Sequence, residues 1–434
     1  MGKADRKGTY PTGVSSRLYR LLPVYLVVFV GFLGYSLMIA VFTPMMLRND
    51  NGMLPASSST AQRSVVLGVL LALYPLGQFL GSPILGALSD RYGRRRILIC
   101  SLGATTVFYA AIASALAIQS LALLMVSSFF AGLSEANVVI AQGAIADAAS
   151  REDRERLFGY VYLSASLAYV VGPLGGGKLA DRSLASWFSY QTPYWAVAIL
   201  LLIVLVAITL WFKETRRRTS EQSSYLEAFT NLRGVVTDRR LRGLYWINFL
   251  LYLAIFGFFR VYPMYLVDRF HLSVGRVSEF IAWVAVPIVF ANVWLVGALS
   301  KRLMPRKLVI LSALATGVLM AAIVLPSSQG SLWFTLGSTA LALAVCLPSC
   351  ATMLSLAAGD NEQGRVMGNN QSMQVGAESV SGFVGGSLAA AAIRLPLLVF
   401  AGAAVLGGFA VTRLRSGSAR APALQSAPST VPPP

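Results

Sequence analysis

One histidine, three cysteines and 18 acidic residues are all that 434 positions offer of the side chains that commonly ligate metals or attack substrates. Cys100, Cys346 and Cys350 all lie inside apolar runs. The one close pair is spaced i, i+4 with no histidine nearby, which excludes a zinc-type metal site. His271 stands alone in a turn, and no P-loop, Ser-His-Asp arrangement or zinc spacing occurs, so ATP-driven or hydrolytic chemistry has no residues to run on. The sequence is therefore not that of an enzyme, and it implies no cofactor and no metal. Charge is scarce as well: 12% charged and 56% apolar residues with a mean hydropathy of +0.65 exclude a soluble globular domain.

What the chain has in abundance is long apolar runs. A bilayer core needs about 20 consecutive apolar residues, and such runs fall at 21–46, 65–88, 97–118, 121–144, 157–179 and 192–212, then at 243–267, 277–299, 307–326, 331–355, 366–390 and 394–412. The expected fold is an all-α integral membrane protein of twelve transmembrane helices. The organisation that follows is a cytoplasmic N-terminal segment (1–20), a six-helix bundle (21–212), a cytoplasmic central loop (213–242), a second six-helix bundle (243–412) and a disordered cytoplasmic tail (413–434) biased to Ser, Ala and Pro. The first run is too long for the apolar region of a cleaved signal and reads as a retained helix. Arg6 stands where a myristoylation signal needs Ser or Thr, so a lipid anchor is not expected.

A net charge of +18 would be compatible with nucleic acid, but the basic residues sort by membrane side instead of gathering on one soluble face. With the N-terminus inside, 28 of the 36 Lys and Arg lie on the cytoplasmic side and six outside, leaving only Lys178 and Arg260 within or at the edge of runs. Both termini are expected in the cytoplasm, and the protein in an inner (plasma) membrane.

The two halves are related by duplication. Gly86 to Leu98, GALSDRYGRRRIL, returns 211 positions later as Gly297 to Val309, GALSKRLMPRKLV, and Gly159 aligns with Gly368 at a spacing of 209. In each copy a glycine near the end of one run leads into a short basic turn and another run.

The pattern GxLSDRxGRR, carried by Gly86, Asp90, Arg91, Gly93, Arg94 and Arg95, together with two six-helix halves and a charged central loop, resembles the major facilitator superfamily over residues 18–415. Gly159, Ala168, Gly172, Pro173, Gly176 and Gly177 in the fifth run are similar to the antiporter motif of its twelve-helix drug and metabolite:proton branch, with Ala168 where that pattern has Gly. These glycines read equally as close-approach devices, at a seam between the halves, and as part of a barrier to proton leak. The resemblance implies that Asp90 accepts hydrogen bonds at a helix N-terminus while Arg91, Arg94 and Arg95 hold lipid phosphates or acidic neighbours, latching the outward-open state; fixing topology is the alternative. In the superfamily this Asp also meets an Arg of the fourth helix, where this chain has Ser128, so Arg365 is the expected substitute. Lys301 replaces the aspartate in the second copy, reversing its polarity, and Lys301, Arg302 and Arg306 are expected to meet Asp147, Glu152, Asp153 or Glu155.

Ionisable residues within the runs carry the chemistry, because a charge at the bilayer centre costs about 2.5 to 3.5 kcal/mol even on insertion scales. Three qualify: Glu135, Arg260 and Glu378. The acids are the candidates for proton coupling, Glu378 first, because its run also presents Asn369, Asn370, Gln371 and Gln374. A structural ion pair of Arg260 with one acid is the competing reading. The family geometry adds Tyr74, Gln78, Asn137, Gln142, Tyr169, Tyr245, Asn248, Phe259, Trp283, Asn292 and Gln374 as candidates around a central cavity, with Arg260 inviting an anionic group.

These readings converge on a proton-coupled exporter of a small organic compound, a drug or secondary metabolite, working by alternating access as a monomer among membrane lipids. The nearest alternative is a proton symporter importing an organic anion such as a siderophore or carboxylate; a receptor-like protein that binds without transporting is a third.

Overall fold

The computed structural model describes residues 14–148, 154–215, 235, 237–238, 240–326, 328–358 and 362–414. The first half contains α1 (Val14–Arg48), α2 (Thr60–Tyr92), α3 (Arg94–Ala117), α4 (Leu121–Glu135), α5 (Asn137–Ala148), α6 (Arg154–Leu179) and α7 (Thr192–Trp211). The second contains α8 (Arg242–Phe270), α9 (Val274–Phe290), a π-turn (Ala291–Leu295), α10 (Val296–Ser300), α11 (Pro305–Ala322), α12 (Gln329–Ala357), α13 (Gln363–Ala391) and α14 (Leu395–Arg413).

Helix is the form that satisfies every backbone group of such runs without water. Their ends are marked locally: Ser59 and Gln62 form a reciprocal capping box at α2, Ser120 and Ser273 cap α4 and α9, and Pro193, Pro305 and Pro396 open α7, α11 and α14. Outward faces stay apolar, as with Ile199, Ile203, Val206 and Leu210 at helical spacing on α7.

Two of the twelve runs are not single α-helices. The fourth breaks at Ala136, whose N–H bonds to Gly132 while its carbonyl accepts from Val139, so α4 and α5 together make one crossing. The eighth widens into the π-turn beyond Pro287, which lacks the N–H that regular winding would use. Eleven crossings have the length and apolarity of membrane spans. The twelfth, α13, is diluted by Asn369, Asn370, Gln371 and Gln374. It is shielded by α2 and α8, and Asn369 and Asn370 are buried while Gln371 is exposed.

The halves meet along α1 with α8 and α9, α2 with α13, and α6 with α9. Gly68 and Gly386 place α2 and α13 backbone to backbone, so a methyl group on either would overlap the other. Ser379 donates to the Ala72 carbonyl at 3.1 Å, and Arg48 donates to the His271 carbonyl at 2.6 Å. All these contacts lie between mid-membrane and the end bearing His271. At the other end, which carries the basic turns around Gly93 and Lys301, Arg94 bonds to Asp90 and Asp147 and Arg365 to Glu362, each within its own half.

Candidate functional site

A cavity of about 200 Å³ lies between the halves. Its wall is formed by Tyr35, Ser36 and Ile39 of α1, Ser166 and Tyr169 of α6, Phe256, Phe259, Arg260 and Tyr262 of α8, Ile281, Val284, Ala285, Ile288 and Val289 of α9, Leu347 of α12 and Glu378 of α13. One charged group of each sign stands in a lining that is otherwise aromatic and aliphatic but for the hydroxyls of Ser36 and Ser166 and of Tyr35, Tyr169 and Tyr262. Arg260 Nη2 sits 3.3 Å from Glu378 Oε1, with 2% and 13% of the two side chains exposed. The Tyr35 hydroxyl accepts from Arg260 and donates to Glu378, and the Arg260 guanidinium also lies 5.2 Å from the Tyr35 ring centroid. Tyr35 belongs to the first half and the ion pair to the second, so this cluster spans the seam.

Of the residues expected around a cavity, Arg260, Glu378, Tyr169 and Phe259 line it. The others lie elsewhere. Tyr245 is buried in a separate apolar cluster at the basic end, Asn248 donates to the Cys350 carbonyl at 3.2 Å, and Gln374 and Gln78 are half-buried away from the wall. Asn137 is buried beside the α4–α5 break. Tyr74 stacks on Tyr35 with ring centroids 5.1 Å apart, and the two border a small separate void with Arg260.

Glu135 closes α4 at the break, is 1% exposed, and accepts from the Tyr109 hydroxyl at 3.0 Å. It forms no ion pair among the described residues. Arg260 therefore pairs with Glu378 and leaves Glu135 without a cation.

The basic turn acts within its own half. Arg94 contacts Asp90 at 2.8 Å and Asp147 at 3.1 Å, and donates to Ser89 at 2.6 Å; Gly143 leaves the space its guanidinium occupies. Asp90 sits in the last turn of α2 and caps no helix start. That role belongs to Glu214, which accepts from the Arg94 and Arg95 backbone N–H groups at 3.0 and 3.1 Å, where anionic charge meets the positive end of α3. Gly93, with φ of +100°, makes this turn possible. Arg91 is exposed and lies 5.3 Å from the Tyr92 ring.

The partners expected across the halves are absent among the described residues. Arg365 pairs with Glu362 at 2.8 Å and approaches Asp238 at 4.0 Å, not Asp90, and Arg240 meets Glu362 at 2.7 Å. Arg306 donates to the carbonyls of Val411, Thr412 and Leu414, closing the end of α14, while Lys301 and Arg302 are exposed. Glu152, Asp153 and the Glu155 side chain lie outside the described residues. The fifth-run glycines divide: Gly172 and Gly176 face Ser36, Leu33 and Leu37 of α1 within the first half, and only Gly177 faces the other half, at Ser278 of α9. Pro173 is carried inside α6, and Gly159 has no neighbour within 4 Å of where a Cβ would lie.

Tyr35 and Glu214 went unnoticed in the sequence. Tyr35 reads there as one aromatic among many, and Glu214 as one charge at the start of a loop.

Two repeated helical bundles enclosing a polar cluster in an apolar cavity define a multi-pass membrane carrier, not an enzyme. The chain belongs to the Major Facilitator Superfamily, whose family model matches residues 24–343 and 261–432. It is similar to the class C tetracycline resistance protein of Escherichia coli, 29% identical over 307 residues that cover 70% of this chain and 74% of that protein. Multidrug resistance protein 2 of Bacillus subtilis (strain 168) is 27% identical over 394 residues, 89% of this chain and 92% of that one. Among solved structures, an inward-facing, occupied bacterial homologue of the human lysosomal transporter Spinster superposes with a TM-score of 0.74 at 17% identity, over 96% of this chain and all of that one. The human organic anion transporter MFSD10 does so at 0.67 and 20% identity, over 92% of this chain and all of that one. At these identities the structures speak for the fold alone.

Proposed function

We propose that this carrier exports a small amphipathic organic compound, a drug or secondary metabolite, in exchange for protons, and that Glu378 is the group at which the two compete. The observation that carries the reading is the Arg260–Glu378–Tyr35 cluster, which places the one carboxylate of the cavity wall on the seam between the halves. The similarity to tetracycline and multidrug resistance proteins supports export. As an anion, Glu378 accepts from Tyr35, Arg260 and a donor or cationic group of the substrate; as an acid it releases that group. Proton and substrate then exclude each other, which is the condition for antiport. The apolar remainder of the wall receives the body of the solute.

Placing the basic turns in the cytoplasm, as the charge distribution favours, puts both termini inside and the Arg48–His271 contact between the halves on the outer side. Arg91, Lys301 and Arg302 then face the headgroup layer of an inner membrane. One feature favours a second reading: an anionic solute paired with Arg260 would leave Glu378 to take up a proton, and the two would travel together as a symport.

Inverted vesicles loaded with acid separate the two. Cationic, neutral and anionic compounds are added in turn while the proton gradient is followed. Collapse that vanishes in Glu378→Gln supports antiport and names the substrate class. No collapse, with proton-driven uptake of an anion into right-side-out vesicles, replaces export by import.

A further inference from the structure

A second acid lies buried on the other side of Tyr35. Glu135 is 1% exposed, and its Oε1 has no hydrogen-bond partner and abuts Gly31 of α1, where an added Cβ would lie 3.0 Å away. Tyr109 of α3 donates to Oε2, and Tyr74 of α2, whose backbone packs on Gly132 of the preceding turn, lies beside both. No Lys, Arg or His among the described residues pairs with it. An anion here has no counter-charge, whereas the neutral acid needs none. A membrane helix rarely retains such a residue without a role in charge movement.

Tyr74 connects the acid to the seam. Its ring stacks on Tyr35, and its hydroxyl lies on the side of Glu135 and Tyr109. Arg260 Nε is buried and unpartnered. Tyr74 and Arg260 border the same small void beside the Tyr35 ring. Tyr74 thus touches the Glu135 pocket on one side and, through the Tyr35 ring, the Arg260–Glu378 pair on the other.

We propose that Glu135 is a second proton-exchanging group of the carrier, and that Tyr74 ties its charge state to the Arg260–Glu378 pair across the Tyr35 stack. The proposal rests on the proton-coupled reading for its purpose. It accounts for an acid placed outside the substrate cavity yet only two stacked rings, Tyr74 and Tyr35, from the ion pair. Tyr74 acts here as a positioning residue, touching neither substrate nor the Glu378 proton.

The test needs no substrate. Infrared spectra of the purified carrier in lipid bilayers are recorded across a pH series, and the hydrogen/deuterium-sensitive carbonyl band of protonated carboxylic acids is followed. The expected result is a band component, missing in Glu135→Gln, that fades reversibly somewhere between about pH 5 and 9. Its midpoint moves by about one pH unit in Glu378→Gln and in Tyr74→Phe. Glu135→Asp keeps an acid and shifts the band, which serves if the glutamine variant does not fold. A Glu135 band constant over the whole range marks a permanently neutral structural acid and overturns the proposal, as does the absence of any such band. A midpoint unmoved in both partner variants overturns the link through Tyr74. Because no transport is measured, a titrating Glu135 in a carrier whose vesicles show no proton-coupled flux removes the proposed antiport alone.

Discussion

The Tyr35 hydroxyl donates to Glu378 across 343 positions of sequence and across the seam between two homologous bundles. It simultaneously accepts from Arg260, so one phenol in the first half completes an ion pair owned by the second. Any motion that parts the halves at mid-membrane must break these two hydrogen bonds. The cluster is thus placed both to sense the cavity and to bias the equilibrium between its two access states.

Tyr35→Phe keeps the ring stack on Tyr74 and the Arg260–Glu378 pair but deletes the bridge. A lost buried hydrogen bond is worth about 1 to 2 kcal/mol, so the equilibrium between access states is expected to move five- to thirty-fold away from the form joined at the His271 end. Double electron–electron resonance between spin labels on the His271 side reads that shift directly; unchanged distance populations would show that the bridge carries no conformational weight.

Glycines of the fifth run are expected to separate by contact, not by motif membership. Gly172→Ala drives a methyl group into Ser36 and the Leu33 carbonyl, with overpacking costs of about 1 to 3 kcal/mol, whereas Gly159→Ala meets open space. Thermal stability in detergent should fall for the first and hold for the second. Equal losses would mean that Gly159 matters in a state other than this one.

At the basic turn, Gly93→Ala suffers twice, from a φ of +100° and from the Glu214 carboxylate that occupies the Cβ position. Strain of this kind costs about 1 to 3 kcal/mol. Gly86→Ala, whose Cβ would meet only Val139 at 3.9 Å, is the matched control and should behave as wild type. Limited proteolysis at the 212–242 connection reports release of Glu214: faster cutting in the Gly93 variant alone is the expected outcome.

On the opposite face, Arg48 meets the His271 carbonyl at the left-handed end of α8, and Arg63 in turn meets the Leu47 and Arg48 carbonyls. Arg48→Ala removes one exposed hydrogen bond, an effect of about 1 kcal/mol or a several-fold gain in opening at the His271 end. Alkylation of a cysteine introduced at Ser36 by an impermeant reagent applied from the His271 side should accelerate to match. No acceleration would assign closure of that side to the glycine contact of α2 with α13 instead.

Much of this molecule was legible before any coordinates. Apolar length is a local property, so the twelve crossings could be placed from runs of about bilayer thickness. The duplication was visible because the two basic turns repeat letter for letter at GALS. Arg260, Glu135 and Glu378 stood out because charge within an apolar run is rare. Less legible were the interruptions: Ala136 and the π-turn leave no apolar gap, because a helix can change its winding without changing its composition. The assignment of Asp90 as a helix cap failed for a related reason. A carboxylate next to a helix start looks like a cap in one dimension, yet Glu214, 120 positions beyond Arg94, reaches that start in three.

The sequence by itself determined that this chain crosses the membrane repeatedly in two related halves, with two acids and one base within its spans, because burial in lipid constrains composition residue by residue. Only the tertiary structure decided which acid the arginine meets. Pairing depends on how helices are arranged in the bundle, which no local spacing records. Arg260 and Glu378 are 118 positions apart, and α8 lies against α13, while Glu135, in the other half, accepts from the Tyr109 hydroxyl. That same arrangement, by carrying Tyr35 across the seam, made an ion pair of one half into a contact between both.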